Sequence, residues 1–325
     1  MTTAHLFALA WSPDPSVFGG SAALAAAYLA WTRRLGPRAW VFLAGVAALL
    51  FALVGPLDRI GELYLFSVHM LQHLVLILVV PPLLLWGLPP EATERLLAVP
   101  LVGRLERWFG RPAVALTVAI GALWAWHVPA LYDLALRSES VHALEHMIFL
   151  VTATMFWWPV LTPVRSRRLS PPAAMAYLFA VMASDSALGA VLTFAPAPLY
   201  PFYLLPPDPY GALPLIRDVW HVSPLADQQM GGLAMWIPGG LFTIVAILIE
   251  FGLWFQEPEA DELTEPRSAG AGGRPAERTL QSALEDGATD AAPIAGTHTG
   301  TAATLPQPAS WFTPAVNRGI LEGAR

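Results

Sequence analysis

The sequence predicts an all-α, polytopic membrane protein: a bundle of about seven transmembrane helices, N-terminus outside and C-terminus cytoplasmic. Three observations lead there. The 325 residues are 55% hydrophobic and only 13% charged, with a mean hydropathy of +0.53, whereas soluble domains carry about 25% charged residues. Apolar stretches near the ~20 residues needed to cross a bilayer recur through the first 255 positions. Arginine then alternates between poor and rich connections, as the positive-inside rule requires.

The stretches fall at 16–32, 39–55, 62–87, 113–131, 140–162, 172–194 and 229–255. Pro and Gly do not interrupt this reading, because membrane helices tolerate both. Pro81 and Pro82 late in the third stretch, and Pro238 with Gly239 and Gly240 in the seventh, predict kinks there. The first connection carries Arg33, Arg34 and Arg38, the third Arg95, Arg104, Arg107 and Arg111, and the fifth Arg165, Arg167 and Arg168. The alternate connections carry one each, Arg59, Arg137 and Arg217. An even number of spans breaks that alternation.

Two segments stand apart within a 1–256 transmembrane domain and a 257–325 tail. The connection 195–228 is rich in Pro and aromatics (Pro196, Pro198, Tyr200, Pro201, Phe202, Tyr203, Pro206, Pro207), which reads as a structured external cap. Residues 257–325 mix Ala, Gly, Thr, Pro and acids without period, and hold most of the excess behind the net charge of −6. We expect a disordered cytoplasmic tail there. No basic patch points to nucleic acid. No cleavable signal is visible at the N-terminus, so the first apolar helix is expected to insert and stay.

With no cysteine, disulfides, thiolate metal sites and Cys nucleophiles are excluded. Histidine is where chemistry gathers. His69 and His73 are spaced i, i+4 on the third stretch, His127 ends the fourth, and His142, Glu145 and His146 share one face at the start of the fifth. With the arginine-derived topology, all five histidines lie within about 15 Å of the outer helix ends. Asp227, Gln228, Met230 and Met235 open the seventh stretch on that side, and Asp185 falls in the outer half of the sixth. A single membrane histidine is often only a helix–helix hydrogen-bonder. Two HxxxH pairs with a fifth His nearby favour a metal site. Glu145 is then a ligand or an acceptor that fixes an imidazole tautomer, against a plain role as an acid at a helix start. Asp227 has a bland reading as the N-cap of the seventh helix, and His221 reads as exposed.

Imidazole suits Zn, Cu, Fe and Ni, while thioether sulfur selects Cu(I). Met70, Met147, Met230 and Met235 in the same outer region therefore favour copper over packing alone. Two other readings compete. His142-Ala143-Leu144-Glu145-His146 matches the H-x-x-E-H order of a zinc metallopeptidase, and histidines on two helices could hold a b-type haem. The first lacks a clear further carboxylate ligand, and i, i+4 pairs suit a compact ion better than a macrocycle.

The sequence also resembles a known family. The stretches that carry the resemblance begin with His69-Met70-Leu71-Gln72-His73, Pro81-Pro82 and Gly87-Leu88-Pro89. Trp126-His127-Val128-Pro129, Leu131-Tyr132-Asp133, Val141 to His146 and Phe156-Trp157-Trp158-Pro159 continue it. Tyr200-Pro201, Asp227-Gln228-Gln229 and Met235-Trp236-Ile237-Pro238-Gly239 complete it. Together they are similar to the CtaG-type membrane assembly factors of caa-type cytochrome c oxidase. The resemblance implies a non-enzymatic protein of the bacterial plasma membrane that handles copper for the heme–copper centre, with the catalytic oxidase subunit as partner. An unrelated copper chaperone of the same name, with one membrane anchor and a Cys pair, is excluded by the absence of cysteine.

Overall fold

The computed structural model describes residues 2–33 and 35–256, and all of its regular structure is helical. In order, the α-helices are α1 (Thr3–Leu9), α2 (Pro15–Thr32), α3 (Pro37–Val54), α4 (Pro56–Leu63), α5 (Phe66–Leu74), α6 (Val80–Trp86) and α7 (Pro90–Leu97). Then follow α8 (Pro100–Phe109), α9 (Pro112–Trp126), α10 (Pro129–Arg137), α11 (Glu139–Leu161), α12 (Pro171–Thr193), α13 (Pro224–Ala234) and α14 (Gly240–Phe255). The tail expected at 257–325 lies outside the described residues.

Each of the seven apolar stretches is helical, but not all qualify alone as spans. Five continuous helices are long and apolar enough to cross a membrane: Pro37–Leu63, Phe66–Trp86, Glu139–Leu161, Pro171–Thr193 and Pro224–Phe255. A sixth is reached if α8 and α9, bent by 70° at Gly110 and Arg111, count as one. The stretch at 16–32 forms α2 and is not among them. The protein is thus an all-α, polytopic membrane protein with five to six long apolar helices. Its outward surface agrees: Leu241, Ile244, Val245, Leu248 and Ile249 of α14 are exposed, the pattern of a helix facing lipid.

Both proline sites carry a local break in the regular helix. Each site is absorbed as a five-residue π-helical turn, Val75–Val79 between α5 and α6 and Met235–Gly239 between α13 and α14, while the helix runs on. Pro81 has no N–H for the carbonyl of Ile77, four residues earlier. The indole N–H of Trp157 donates to that freed oxygen instead, at 2.9 Å.

Packing follows small residues. α12 lies against α13 and α14, α11 against α6 and α9, and α5 against α4 and α13. Where α12 meets α13, a Cβ on Gly232 would stand 2.7 Å from the backbone nitrogen of Thr193, and one on Gly189 2.9 Å from the Gly232 carbonyl. Only glycine permits backbones this close. The third connection is not a loop but two short helices, α7 with Arg95 and α8 with Arg104 and Arg107, while Arg111 precedes α9. By connectivity, the Arg-rich connections sit at the opposite helix ends from His69, His73, His142 and His146.

The connection after α12 is shorter than 195–228: α13 already starts at Pro224, and Ser223 caps it by accepting from the N–H of Ala226 at 3.2 Å. Asp227 is therefore not that helix's N-cap. Leu6 and Ala10 of the N-terminal segment pack with Ile60, Tyr64, Ala212, Leu215 and Ile216 into one buried cluster. Asp208 pins the cap further, accepting from Tyr64 Oη at 2.9 Å and from the N–H of Ala212 at 2.6 Å.

Candidate metal centre

Four imidazoles, two from α5 and two from α11, meet inside the bundle. The spacing i, i+4 stacks His69 on His73, with ring centroids 4.3 Å apart, and His142 on His146, 4.2 Å apart. Between helices, His69 stands 5.1 Å from His142, and His73 stands 5.4 Å from His146. All four are buried. The Nε2 atoms of His69 and His142 approach to 3.3 Å. Ligands held at about 2.0–2.1 Å around a tetrahedral ion lie about 3.3 Å from one another, so this pair already stands at the separation of two ligands sharing one metal.

A hydroxyl relay orients His69. Tyr203 Oη donates to the carbonyl oxygen of Gly61 at 2.8 Å, the two phenol oxygens of Tyr203 and Tyr132 lie 3.1 Å apart, and Tyr132 Oη lies 2.7 Å from His69 Nδ1. Assigning protons from the hydrogen-bond pattern, one arrangement gives every contact a proton. Tyr203 donates to Gly61, Tyr132 donates to Tyr203, and the His69 Nδ1–H donates to Tyr132. The lone pair of His69 then sits on Nε2, facing His142. Burial holds the Tyr203 hydroxyl well above the ordinary phenol range, so it stays protonated as a donor. Gly61 must be glycine here, because a Cβ would stand 2.8 Å from the backbone of His69.

Glu145 completes the cluster. It is fully buried, and one of its oxygens lies within 4.8 Å of ring nitrogens of His69 and His142. Eight buried side-chain atoms lack a hydrogen-bond partner among the described residues, and five belong here: both ring nitrogens of His73, both oxygens of Glu145, and Nε2 of His146. Each such atom costs roughly 1–3 kcal/mol when left unsatisfied. Five in one place form a donor set suited to a cation, and imidazole with carboxylate fits a borderline transition metal.

The other residues expected at the site are placed differently. The ring of His127 turns away from the quartet: Nδ1 meets the Leu123 carbonyl at 2.7 Å, and Nε2 faces Met70 Sδ at 3.3 Å. A small inner cavity of about 70 Å³ connects this pair with His73, Met182, Asp185 and Met235. Asp185 and Met235 thus neighbour the cluster through that cavity. Asp227 is a correction. Its carboxylate accepts from the N–H of Phe66 at 2.6 Å, the N–H of Ser67 at 3.2 Å and Ser67 Oγ at 2.5 Å. It caps the N-terminus of α5, where an anion is favoured by the helix dipole, and so fixes the helix carrying His69 and His73. Gln228 is likewise a brace, accepting from the N–H of Leu199 at 2.6 Å and donating to the Leu192 carbonyl at 3.3 Å. Met230 is 44% exposed on the outside of the bundle. His221 is exposed, as expected.

Sequence reasoning missed Tyr132 and Tyr203 as partners of His69, and Asp58 as a neighbour of His142 and His146. Asp58 and His142 and His146 offer ligand atoms within 4.8 Å of one another. Gln72 holds Asp58 there, donating from Nε2 to Asp58 Oδ1 at 2.9 Å and to the Ala52 carbonyl at 3.0 Å. The available signal was the short helix α4, with Asp58 and Glu62 at i, i+4 directly before the His-bearing helix.

Comparison with known proteins gives relatives in mycobacteria. Uncharacterized proteins of Mycobacterium bovis and Mycobacterium tuberculosis are each 27% identical over 248 residues, and one of Mycobacterium leprae is 25% identical over 248 residues. In each case the match covers 71% of this chain and 36% of the relative, so the chain spans about a third of the length of the curated relatives it matches. No solved structure matches. With bacterial relatives and several apolar helices, this is a bacterial multi-pass membrane protein. The profile of the cytochrome c oxidase caa3 assembly factor family (Caa3_CtaG) matches residues 24–257, most of the chain and all of the histidine cluster, and the chain belongs to that family.

Proposed function

We propose that this protein holds copper in the α5–α11 imidazole cluster near the outer membrane face and assists its insertion into a heme–copper oxidase, with the catalytic subunit as partner. The observation that carries the reading is the convergence of four buried imidazoles and Glu145, with five donor atoms unpartnered among the described residues. His69, His73, His142, His146 and Glu145 are the ligand candidates. His127 Nε2 and Met70 Sδ, facing each other across 3.3 Å, add the imidazole and thioether that favour Cu(I). The family's description as an oxidase assembly factor supplies the destination. Assembly factors of this family are not enzymes. Against a peptidase, Glu145 is wholly buried, where a general base needs approaching water and substrate. Against a haem, the four rings contact one another and leave no slot for a macrocycle.

The test is elemental analysis of the full chain purified in detergent. Copper at about one equivalent or more is expected, and a preparation that binds none from added Cu(I) overturns the reading. The orientation belongs to the same proposal: seven spans, N-terminus outside, histidine end outside. The arginine-rich connections at the opposite helix ends support it. A reporter active only in the cytoplasm is expected to work when fused at residue 260 and to fail at residue 135. The reverse pattern would place the histidines at the cytoplasmic face and sink delivery from outside.

A further inference from the structure

The histidine cluster has a second side that the copper reading leaves unexplained. A cavity of about 320 Å³ lies against α11 and is lined by Asp14, Asp58, Glu62, Glu139, His142 and His146. Leu49, Leu53, Leu76 and Leu150 complete the walls, and water can occupy a space of that volume beside the polar groups. Four carboxyl groups face one guanidinium there, that of Arg59, which is already paired with Glu62 at 3.0 Å. Hydrogen bonds from Ser16 hold the Asp14 carboxyl below the ordinary carboxylate range. Acidic residues alone do not make a site. Here the wall also presents the imidazole of His146, only 7% exposed, whose Nε2 has no hydrogen-bond partner among the described residues.

His146 belongs to two sets of ligand atoms. With Asp58 and His142 it forms an outer, mixed carboxylate and imidazole set, and with His69 and His73 it forms an inner set of imidazoles alone. Within each set the donor atoms lie within 4.8 Å of one another. Of these five residues, Asp58, His142 and His146 line the cavity, whereas His69 and His73 do not.

We propose that this cavity is a loading port for a metal cation, in which Asp58, His142 and His146 form the first site and pass the ion inward around the shared His146. Resting on the copper reading above, it adds the route and the first ligands. The hand-over is ligand exchange without redox change: the Asp58 bond breaks as the His69 bond forms, His69 and His142 share the ion midway, and the His142 bond breaks as the His73 bond forms, while His146 keeps its place. Glu62 lines the same wall, with Oε1 4.0 Å from His142 Nδ1. Asp14 and Glu139 add two carboxyl groups to the lining, and negative charge there raises the local concentration of cations and speeds their capture.

Capture of Cu(I) from a chromogenic chelator by the full chain in detergent tests the port. In the wild type the capture rate should fall as salt rises, because screening shortens the reach of the carboxylates. Asp58→Asn is expected to slow capture tenfold or more, with Asp58→Glu restoring much of the rate. Asp14→Asn combined with Glu139→Gln, the first half-buried and the second exposed, should flatten the salt dependence. Wild-type rates and salt dependence in Asp58→Asn and in this double variant overturn the port while leaving the copper site standing. A wild type that captures no Cu(I) overturns both.

Discussion

Replacing His142 and His146 together with alanine is expected to abolish copper retention and, with it, oxidase maturation. Each of the three compact ligand sets in the structure contains at least one of these two residues. Among the described residues no other set of three remains once both are gone, so the loss should exceed the effect of any single replacement. The fold is expected to survive. α11 is held by its own backbone hydrogen bonds and by packing against α6 and α9, and buried apolar residues such as Phe149, Phe156, Trp157 and Val160 anchor it below the site. Removing the two rings also removes buried polar atoms, which offsets part of the cavity cost. The measurements are copper content per purified protein and oxidase activity in cells producing the variant at normal level. Partial rescue by excess copper in the medium is the outcome that separates delivery from scaffolding. His221→Ala, at an exposed position, is the near-neutral control. Unchanged copper content and oxidase activity in the double variant would make the histidines structural.

The quartet was legible in the sequence because HxxxH is a local pattern: once 66–74 and 139–161 are helical, each pair must share a face. Arginine counts put both pairs at the same side and depth, but that the two faces meet is visible only in the structure. What was not legible depends on where chains end and turn. α9 stops at Trp126, so His127 falls at its C-cap and its ring folds back onto Leu123 and Met70. The seventh helix starts five residues earlier than its hydropathy indicates, at Pro224. This turns Asp227 from the rim of a pocket into a cap for a neighbouring helix. Asp58 was hidden because the short α4 reads as a polar connection, and its use emerges only when Gln72 reaches back across 14 positions to hold it. The relay through Tyr203 and Tyr132 joins residues 71 apart in sequence. No periodicity encodes such a contact.

That relay carries the second large effect. Replacing both Tyr132 and Tyr203 with phenylalanine is expected to lower copper affinity about 10–100-fold, the usual consequence of losing the partner that orients a ligating imidazole. The rings themselves would stay. Tyr132 stacks 4.3 Å from Tyr200, Tyr203 meets Phe202 at 5.6 Å, and both belong to one buried cluster with Phe66 and Met70. Only the two hydroxyls leave. The Gly61 carbonyl then loses its donor from Tyr203, and His69 Nδ1–H loses its acceptor. With no acceptor at Nδ1, His69 gains by moving its proton to Nε2, where it can donate to His142 Nε2 across 3.3 Å. That tautomer blocks the nitrogen required for the metal, so affinity falls although all four imidazoles remain. Thermal unfolding in detergent should change little by comparison, and the copper competition titration should carry the difference. Tyr200→Phe is the matched control: its hydroxyl donates to the His127 carbonyl at 3.1 Å and touches no ligand candidate's ring. Wild-type affinity in the Tyr132→Phe, Tyr203→Phe variant would mean that His69 does not bind metal through Nε2. The inner set would then rest on His73 and His146 alone.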